Sequence, residues 1–236
     1  MATNPGRKIL LLAVGAGLSG VLAYALYGAF RTAPSAAVAH MDAADGSVVA
    51  ESGTINETQP PARVIPDTLP EFSLATLEGP PRSLSSFDHP SLVVNFWATW
   101  CAPCRREIPL LRQMRRERAE QGVEVVGIAV DFRDDVVKYA REIGLDYPLL
   151  IGEQDGMDAA NAFGMDLLLP FTVFADSQRR IVAVKVGELH AEEASFILDQ
   201  VARLNAGQIP LEQAKRLIGA ELERLESLRK AGEKPA

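Results

Sequence analysis

The chain has 236 residues, 47% of them hydrophobic and 23% charged, so it can bury a core and holds one ordinary domain with extensions or two small ones. A net charge of −7 argues against nucleic acid as the main partner. Two cysteines are too few for a disulfide framework, and zinc would need a second Cys/His pair, whereas His40, His89 and His190 are scattered.

Ile9 to Phe30 is a run of 22 residues without a charged side chain, roughly 33 Å of helix, against a hydrocarbon core of about 30 Å. Arg7 and Lys8 precede it and Arg31 follows. Residues 1–31 therefore read as an uncleaved transmembrane anchor with its basic end in the cytoplasm and the rest of the chain outside. A cleaved signal is the alternative, but the small-x-small triplet Ala37-Val38-Ala39 lies beyond Arg31, well past the apolar run. Residues 32–66 are dominated by Ala, Ser, Thr, Pro, Asn and acids and read as a flexible linker.

Residues 67–207 carry a folded domain. Phe72 to Leu77 alternates like a strand, Glu78-Gly79-Pro80-Pro81 is a turn, and Arg82-Ser83-Leu84 is the returning partner. Ser91 to Ala98 is apolar on both faces apart from Asn95, as a buried parallel strand is. A helix follows from Pro103 to about Gln121. Ile108, Leu111 and Met114 set its apolar face, Pro109 is expected to kink it, and arginines 105, 106, 112, 115, 116 and 118 read as a solvated face. Then come strand Val123–Val130 ending at Asp131, helix Asp134–Ile143 stopped by Gly144, and strand Tyr147–Ile151. Helix Asp158–Phe163, strand Phe171–Ala175, strand Ile181–Val186 and helix Ala191–Asn205 complete the domain. This order predicts an α/β fold with a mixed central sheet covered by helices on both faces. Residues 208–236 read as an amphipathic C-terminal helix with Leu211, Ala214, Ile218, Leu222, Leu225 and Leu228 on one face. It either packs on the domain or self-associates.

Both cysteines sit where the buried strand runs into the charged helix, in Trp100-Cys101-Ala102-Pro103-Cys104. A helix N-terminus offers free N–H groups and the positive end of the macrodipole, and both favour a thiolate. The chemistry this implies is thiol–disulfide exchange, with Cys101–Cys104 as the redox-active disulfide. Cys101, nearest the exposed helix end, is the attacking thiolate, and Cys104, one turn inward, is the resolving thiol.

Asn95 to Arg105, followed by Glu107 and Pro109, resembles the membrane-anchored thioredoxin-like reductases of the TlpA/ResA type. The resemblance runs from about Leu69 to Leu204. It implies a thioredoxin-like fold with an N-terminal β-hairpin and an inserted βα unit near Val125–Leu150. It also makes Pro170 a cis-proline across from the cysteines. Trp100, Ala102, Pro103, Leu169 and Pro170 would then line the groove for an extended partner segment, with Trp97 either in that surface or buried. The resemblance further implies a location at the bacterial inner membrane with the catalytic domain in the periplasm. It implies a transmembrane electron donor, and client disulfides such as those of apocytochrome c or copper-site proteins. Pro103 before the second cysteine marks the reducing members. No cofactor is implied. Two departures stand out: Asn95 occupies the place of a buried Asp of thioredoxins, and Ala102 the place of a Glu found in some relatives. Asp131, at the end of its strand, is the candidate acid/base group; its other reading is a cap on the following loop. Phe171 stands where the wider superfamily often has Thr, and would grease the groove.

Other chemistries can be set against this. A copper-delivery protein could use Cys101, Cys104 and His190, with His190 expected on the far side of the domain. A peroxidase would need a hydroxyl such as that of Thr99 placed to activate one cysteine. A non-catalytic adaptor would act through the C-terminal helix.

Overall fold

A computed structural model describes residues 64–166 and 168–232. The chain divides into units 1–57 and 58–236, and only the second is described here. The anchor expected at 1–31 and nearly all of the linker lie outside the described residues. No described helix is long and apolar enough to cross a membrane.

Seven strands form one sheet: β1 (Ser73–Thr76), β2 (Pro81–Ser83), β3 (Ser91–Trp97), β4 (Val123–Val130), β5 (Leu149–Gly152), β6 (Phe171–Ala175) and β7 (Ile181–Val186). Their spatial order is β2-β1-β5-β4-β3-β6-β7. β3, β4 and β5 run parallel, while β1 joins β5, β6 joins β3 and β7 joins β6 antiparallel. Among the described residues five α-helices flank the sheet: α1 (Ala102–Glu117), α2 (Arg133–Glu142), α3 (Gln154–Ala162), α4 (Ala191–Asn205) and α5 (Leu211–Gly232).

The sheet is two-faced because strand side chains alternate. Val93 and Trp97 of β3, Val125 and Ala129 of β4 and Leu149 of β5 pack with Ile108 and Leu111 of α1, Val136 of α2 and Ile197 of α4. Leu92, Val94 and Phe96, with Val126 and Ile128, pack on the other side with Ala159 and Ala160 of α3, Phe163 and the N-terminal Leu84 and Phe87. The apolar run of β3 is thus explained by burial on both faces; of its two polar residues Ser91 opens the strand and Asn95 faces α1.

α1 carries Pro103 in its first turn and runs unbroken through Pro109, ending four residues before the predicted boundary. Proline fits the first turn because the N–H it lacks has no helical partner there. Arg118 is the C-cap, and a short 3-10 turn, Ala119–Gln121, follows before Gly122. Gly122 has φ +71, and a Cβ there would lie 2.7 Å from the Pro90 ring, so only glycine fits the turn into β4.

The arginine-rich face of α1 is not simply solvated. Arg112 bonds Asp146 Oδ1 at 2.9 Å and Ile143 O at 3.1 Å, Arg118 bonds Asp199 at 2.6 Å, and Arg115 pairs with Glu124 of β4. Arg106 reaches Glu188 at 2.9 Å and Arg116 reaches Asp146 at 3.2 Å. Long guanidinium side chains let α1 bind β4, α4 and two loops from its outer flank. Each exposed pair contributes little alone, about 0–1 kcal/mol.

α5 docks on the domain by Ala214 and Ile218, which are fully buried, and it leaves Leu228 57% exposed. The predicted six-residue apolar face is therefore only partly used.

Candidate active site

β3 delivers the chain through Ala98-Thr99-Trp100 to Cys101, the N-cap of α1. Cys101 N–H donates to Ala98 O at 3.2 Å, and Arg105 N–H donates to Cys101 O at 3.2 Å, fixing the first cysteine on the helix end. Cys101 and Cys104 form a disulfide with Cα atoms 5.3 Å apart. Cys104 N–H donates to Cys101 Sγ at 3.3 Å, so a backbone donor is already aimed at the sulfur that would carry thiolate charge. Cys104 is fully buried and Cys101 nearly so.

Trp100 is 64% exposed beside the pair, Ala102 is exposed and Pro103 half-buried. The Leu169–Pro170 bond is cis, and the Pro170 carbonyl accepts from Gly187 N–H at 2.8 Å. Leu169 is half-buried and Pro170 buried. Two aromatic expectations resolve against the groove. Trp97 is fully buried over Tyr139, with ring centroids 5.8 Å apart. Phe171 lies on the opposite face of the sheet, stacked on Phe96 at 4.3 Å, and greases nothing at the surface.

Asp131 takes the capping role. One carboxylate oxygen accepts from the N–H and hydroxyl of Thr99, and the other from Phe132 N–H at 2.8 Å. It holds the loop that presents Trp100 and Cys101, and the Thr99 hydroxyl is committed to it rather than to a cysteine. Asp131→Ala is expected to cost about 1–3 kcal/mol in a denaturant melt, because it strands backbone donors. It should slow exchange without moving the pH midpoint of the reaction; a moved midpoint would return Asp131 to the acid/base role.

The carboxyl that the sequence reading passed over is Glu107. It is only 1% exposed. It lies three residues after Cys104 on α1, and residues at that spacing share a helix face. Asn95 Nδ2 donates to its Oε1 at 2.7 Å and Leu189 N–H to its Oε2 at 2.7 Å. Burial pushes its pKa from 4.5 to about 7, against the pull of those two donors; the Glu188 charge adds to the rise and Lys185 opposes it. Asn95 also donates to Thr172 Oγ1 at 3.0 Å, so the residue in place of the thioredoxin Asp orients a carboxyl instead of being one. The signal was in the pattern: Glu107 falls on the stripe of Cys104, Ile108, Leu111 and Met114, the one acid on the buried face of α1. A buried carboxyl with a pKa near 7, one helical turn from the resolving thiol, has the acidity to exchange a proton with it.

His190 is the N-cap of α4, directly after Leu189, so it lies near Glu107 and not across the domain. Even so, the described residues bring no three of His, Cys, Asp and Glu into a metal-holding group, and the copper-delivery reading finds no site in them.

A central strand that ends in a helix-capping disulfide opposite a cis-prolyl loop makes the chain a thioredoxin-like α/β protein. It belongs to the AhpC/TSA family, which matches residues 65–204. It is of the ResA/TlpA type and is a thiol–disulfide oxidoreductase. The thiol-disulfide oxidoreductase ResA of Geobacillus thermodenitrificans is 31% identical over 145 residues, covering 61% of this chain and 82% of the relative. The thioredoxin-like protein YneN of Bacillus subtilis is 32% identical over 136 residues, covering 55% and 76%. Among solved structures, a secreted thiol-disulfide isomerase from Corynebacterium glutamicum aligns at 31% identity and TM-score 0.52, over 58% of this chain and 85% of that one. The family match stops before α5.

Proposed function

We propose that the chain is a membrane-anchored protein-disulfide reductase of the periplasm, acting on client disulfides such as those of apocytochrome c or copper-site proteins. The observation that carries the exchange chemistry is Glu107, a buried carboxyl of raised pKa one helical turn behind the resolving cysteine. Pro103 and the relatives named for thiol–disulfide exchange support the direction and class. The uncharged run Ile9–Phe30 supports the anchor.

In the reduced protein the Cys101 thiolate attacks one sulfur of the client disulfide. That S–S bond breaks, the other client sulfur leaves as a thiolate, and Cys101 is joined to the client. The Cys104 thiol then gives its proton to the Glu107 carboxylate and attacks Cys101 Sγ. The mixed bond breaks, the second client sulfur leaves, and the Cys101–Cys104 disulfide forms. Two electrons have passed to the client. A transmembrane electron donor must return them, because cytosolic reductants do not reach a periplasmic site directly. Exposed Trp100 and the Leu169-Pro170 backbone flank Cys101 and receive the client as an extended segment.

In whole cells, thiol labelling should find Cys101 and Cys104 mostly reduced, and a reporter fused after residue 66 should be active only outside the cytoplasm. A pair found oxidised at steady state would reverse the proposed direction, and a reporter active inside would remove the anchor's orientation.

A further inference from the structure

α5 lies outside the residues of the family match, yet it reaches toward the exchange site. Arg229, near its C-terminal end, pairs with Glu193 of α4 through Oε1. Glu193 is 1% exposed, and its Oε2 accepts from His190 N–H at 3.0 Å. Lys185 Nζ of β7 lies 3.5 Å from the same Glu193 Oε1. Lys185 is paired across the sheet with Thr172, and Thr172 with Asn95. Residues paired across neighbouring strands point to the same face, so Asn95, Thr172 and Lys185 form one transverse polar row under α1 and α4. At one end of the row Asn95 holds Glu107, and at the other Lys185 meets Glu193. The loop between β7 and α4 closes the circuit. Gly187 N–H binds the Pro170 carbonyl at 2.8 Å, Glu188 binds Arg106 and Leu189 N–H binds Glu107 at 2.7 Å.

We propose that Arg229 is a positioning residue for disulfide exchange: by neutralising Glu193 it leaves the Lys185 ammonium to act on Glu107 and holds the loop whose Leu189 N–H binds that carboxylate. The inference rests on Glu107 being the proton acceptor for Cys104. The charged and titratable groups near Glu107 are Lys185, Glu188 and Tyr147, with His190 next to Leu189. Those near Glu193 are Lys185 and Arg229, with Glu226 and its partner Lys230 on the outer side. Without Arg229, Lys185 and Glu193 cancel each other, the positive field at Glu107 falls by one charge, and its carboxylate holds a proton more tightly.

The test is a single turnover of the reduced full chain with an aromatic disulfide, following the second thiolate released, which reports resolution by Cys104. Its pH profile should carry an inflection that disappears in Glu107→Gln. Arg229→Gln is expected to move that inflection up by roughly half a pH unit. Arg229→Lys should restore it, and Arg224→Gln, whose residue pairs with Glu221 of its own helix, should leave it in place. Lys185→Gln, which leaves α5 untouched, should move it upward as well. An inflection unmoved in Arg229→Gln overturns the proposal, as does an equal shift in Arg224→Gln. If Arg229→Gln does not fold, an unmoved inflection in Lys185→Gln overturns it. A purely structural role would lower the melting temperature without shifting the profile. A wild type without a Glu107-dependent inflection would instead defeat the proton-acceptor reading itself.

Discussion

Cys101→Ser is expected to lose disulfide reduction down to background, a fall of roughly 10³-fold or more, whereas Cys104→Ser should capture the client and stop there. The asymmetry follows from position. Cys101 caps α1, where the Cys104 N–H and the helix dipole stabilise a thiolate, and exposed Trp100 stands beside it. Cys104 is wholly buried, so a client disulfide cannot reach it, and its only accessible target is Cys101 once that sulfur is bonded to a client. A serine at 101 offers no sulfur to form the mixed disulfide. A serine at 104 leaves the first exchange intact and removes the second, so the adduct accumulates until an external thiol resolves it. Insulin reduction and non-reducing gels read both outcomes. Reduction surviving in Cys101→Ser, or an adduct trapped by Cys101→Ser in place of Cys104→Ser, would reverse the roles. Identifying the trapped protein in whole cells would also name the client.

The order of the elements was readable because each carries a local signature. β3 has its run of apolar residues, α1 its proline start, and α4 matches its predicted bounds of Ala191 and Asn205. The cysteines and the cis-proline were readable for the same reason: their chemistry lies in adjacent letters. Long-range pairings were not. Glu107 looks like one more charge on a charged helix until Asn95 and Leu189, 12 and 82 positions away, are seen to hold it. The arginines of α1 read as solvated because their acceptors, Glu124, Asp146, Glu188 and Asp199, are scattered along the chain. Asp131 could be a base or a cap on sequence grounds, and only its bonds to Thr99 and Phe132 assign it. Phe171 was misplaced because the expectation followed its neighbour Pro170, while strand alternation sends its side chain to the opposite face.

Glu107→Gln should remove a pH-dependent loss of stability and lower activity at once. Burial raises the folded-state pKa of Glu107 to about 7 from 4.5, so ionising it costs more in the folded protein than in the unfolded chain. The stability associated with the protonated acid is fully present below about pH 4.5. It is lost as pH rises to 7, because the unfolded chain releases its proton first, and above pH 7 the loss is complete. Glutamine has the shape of the protonated acid and cannot ionise. Its NH2 cannot accept, so either Asn95 Nδ2 or Leu189 N–H loses its acceptor; the variant should lie about 1–3 kcal/mol below wild type at low pH and recover up to about 3 kcal/mol relative to it by pH 8. Resolution of the mixed disulfide should move the other way, falling roughly 10²-fold or more where wild-type Glu107 is ionised, since Cys104 then lacks its proton acceptor. Denaturant melts at the two pH values and the single-turnover rate test the two halves separately. A stability difference between variant and wild type that does not change from pH 4.5 to pH 8 would mean that the carboxylate is not strained by its burial. Unchanged resolution would move the proton acceptor elsewhere. Seen together, the two effects would show that the fold retains an unfavourable buried charge because the second step of exchange uses it.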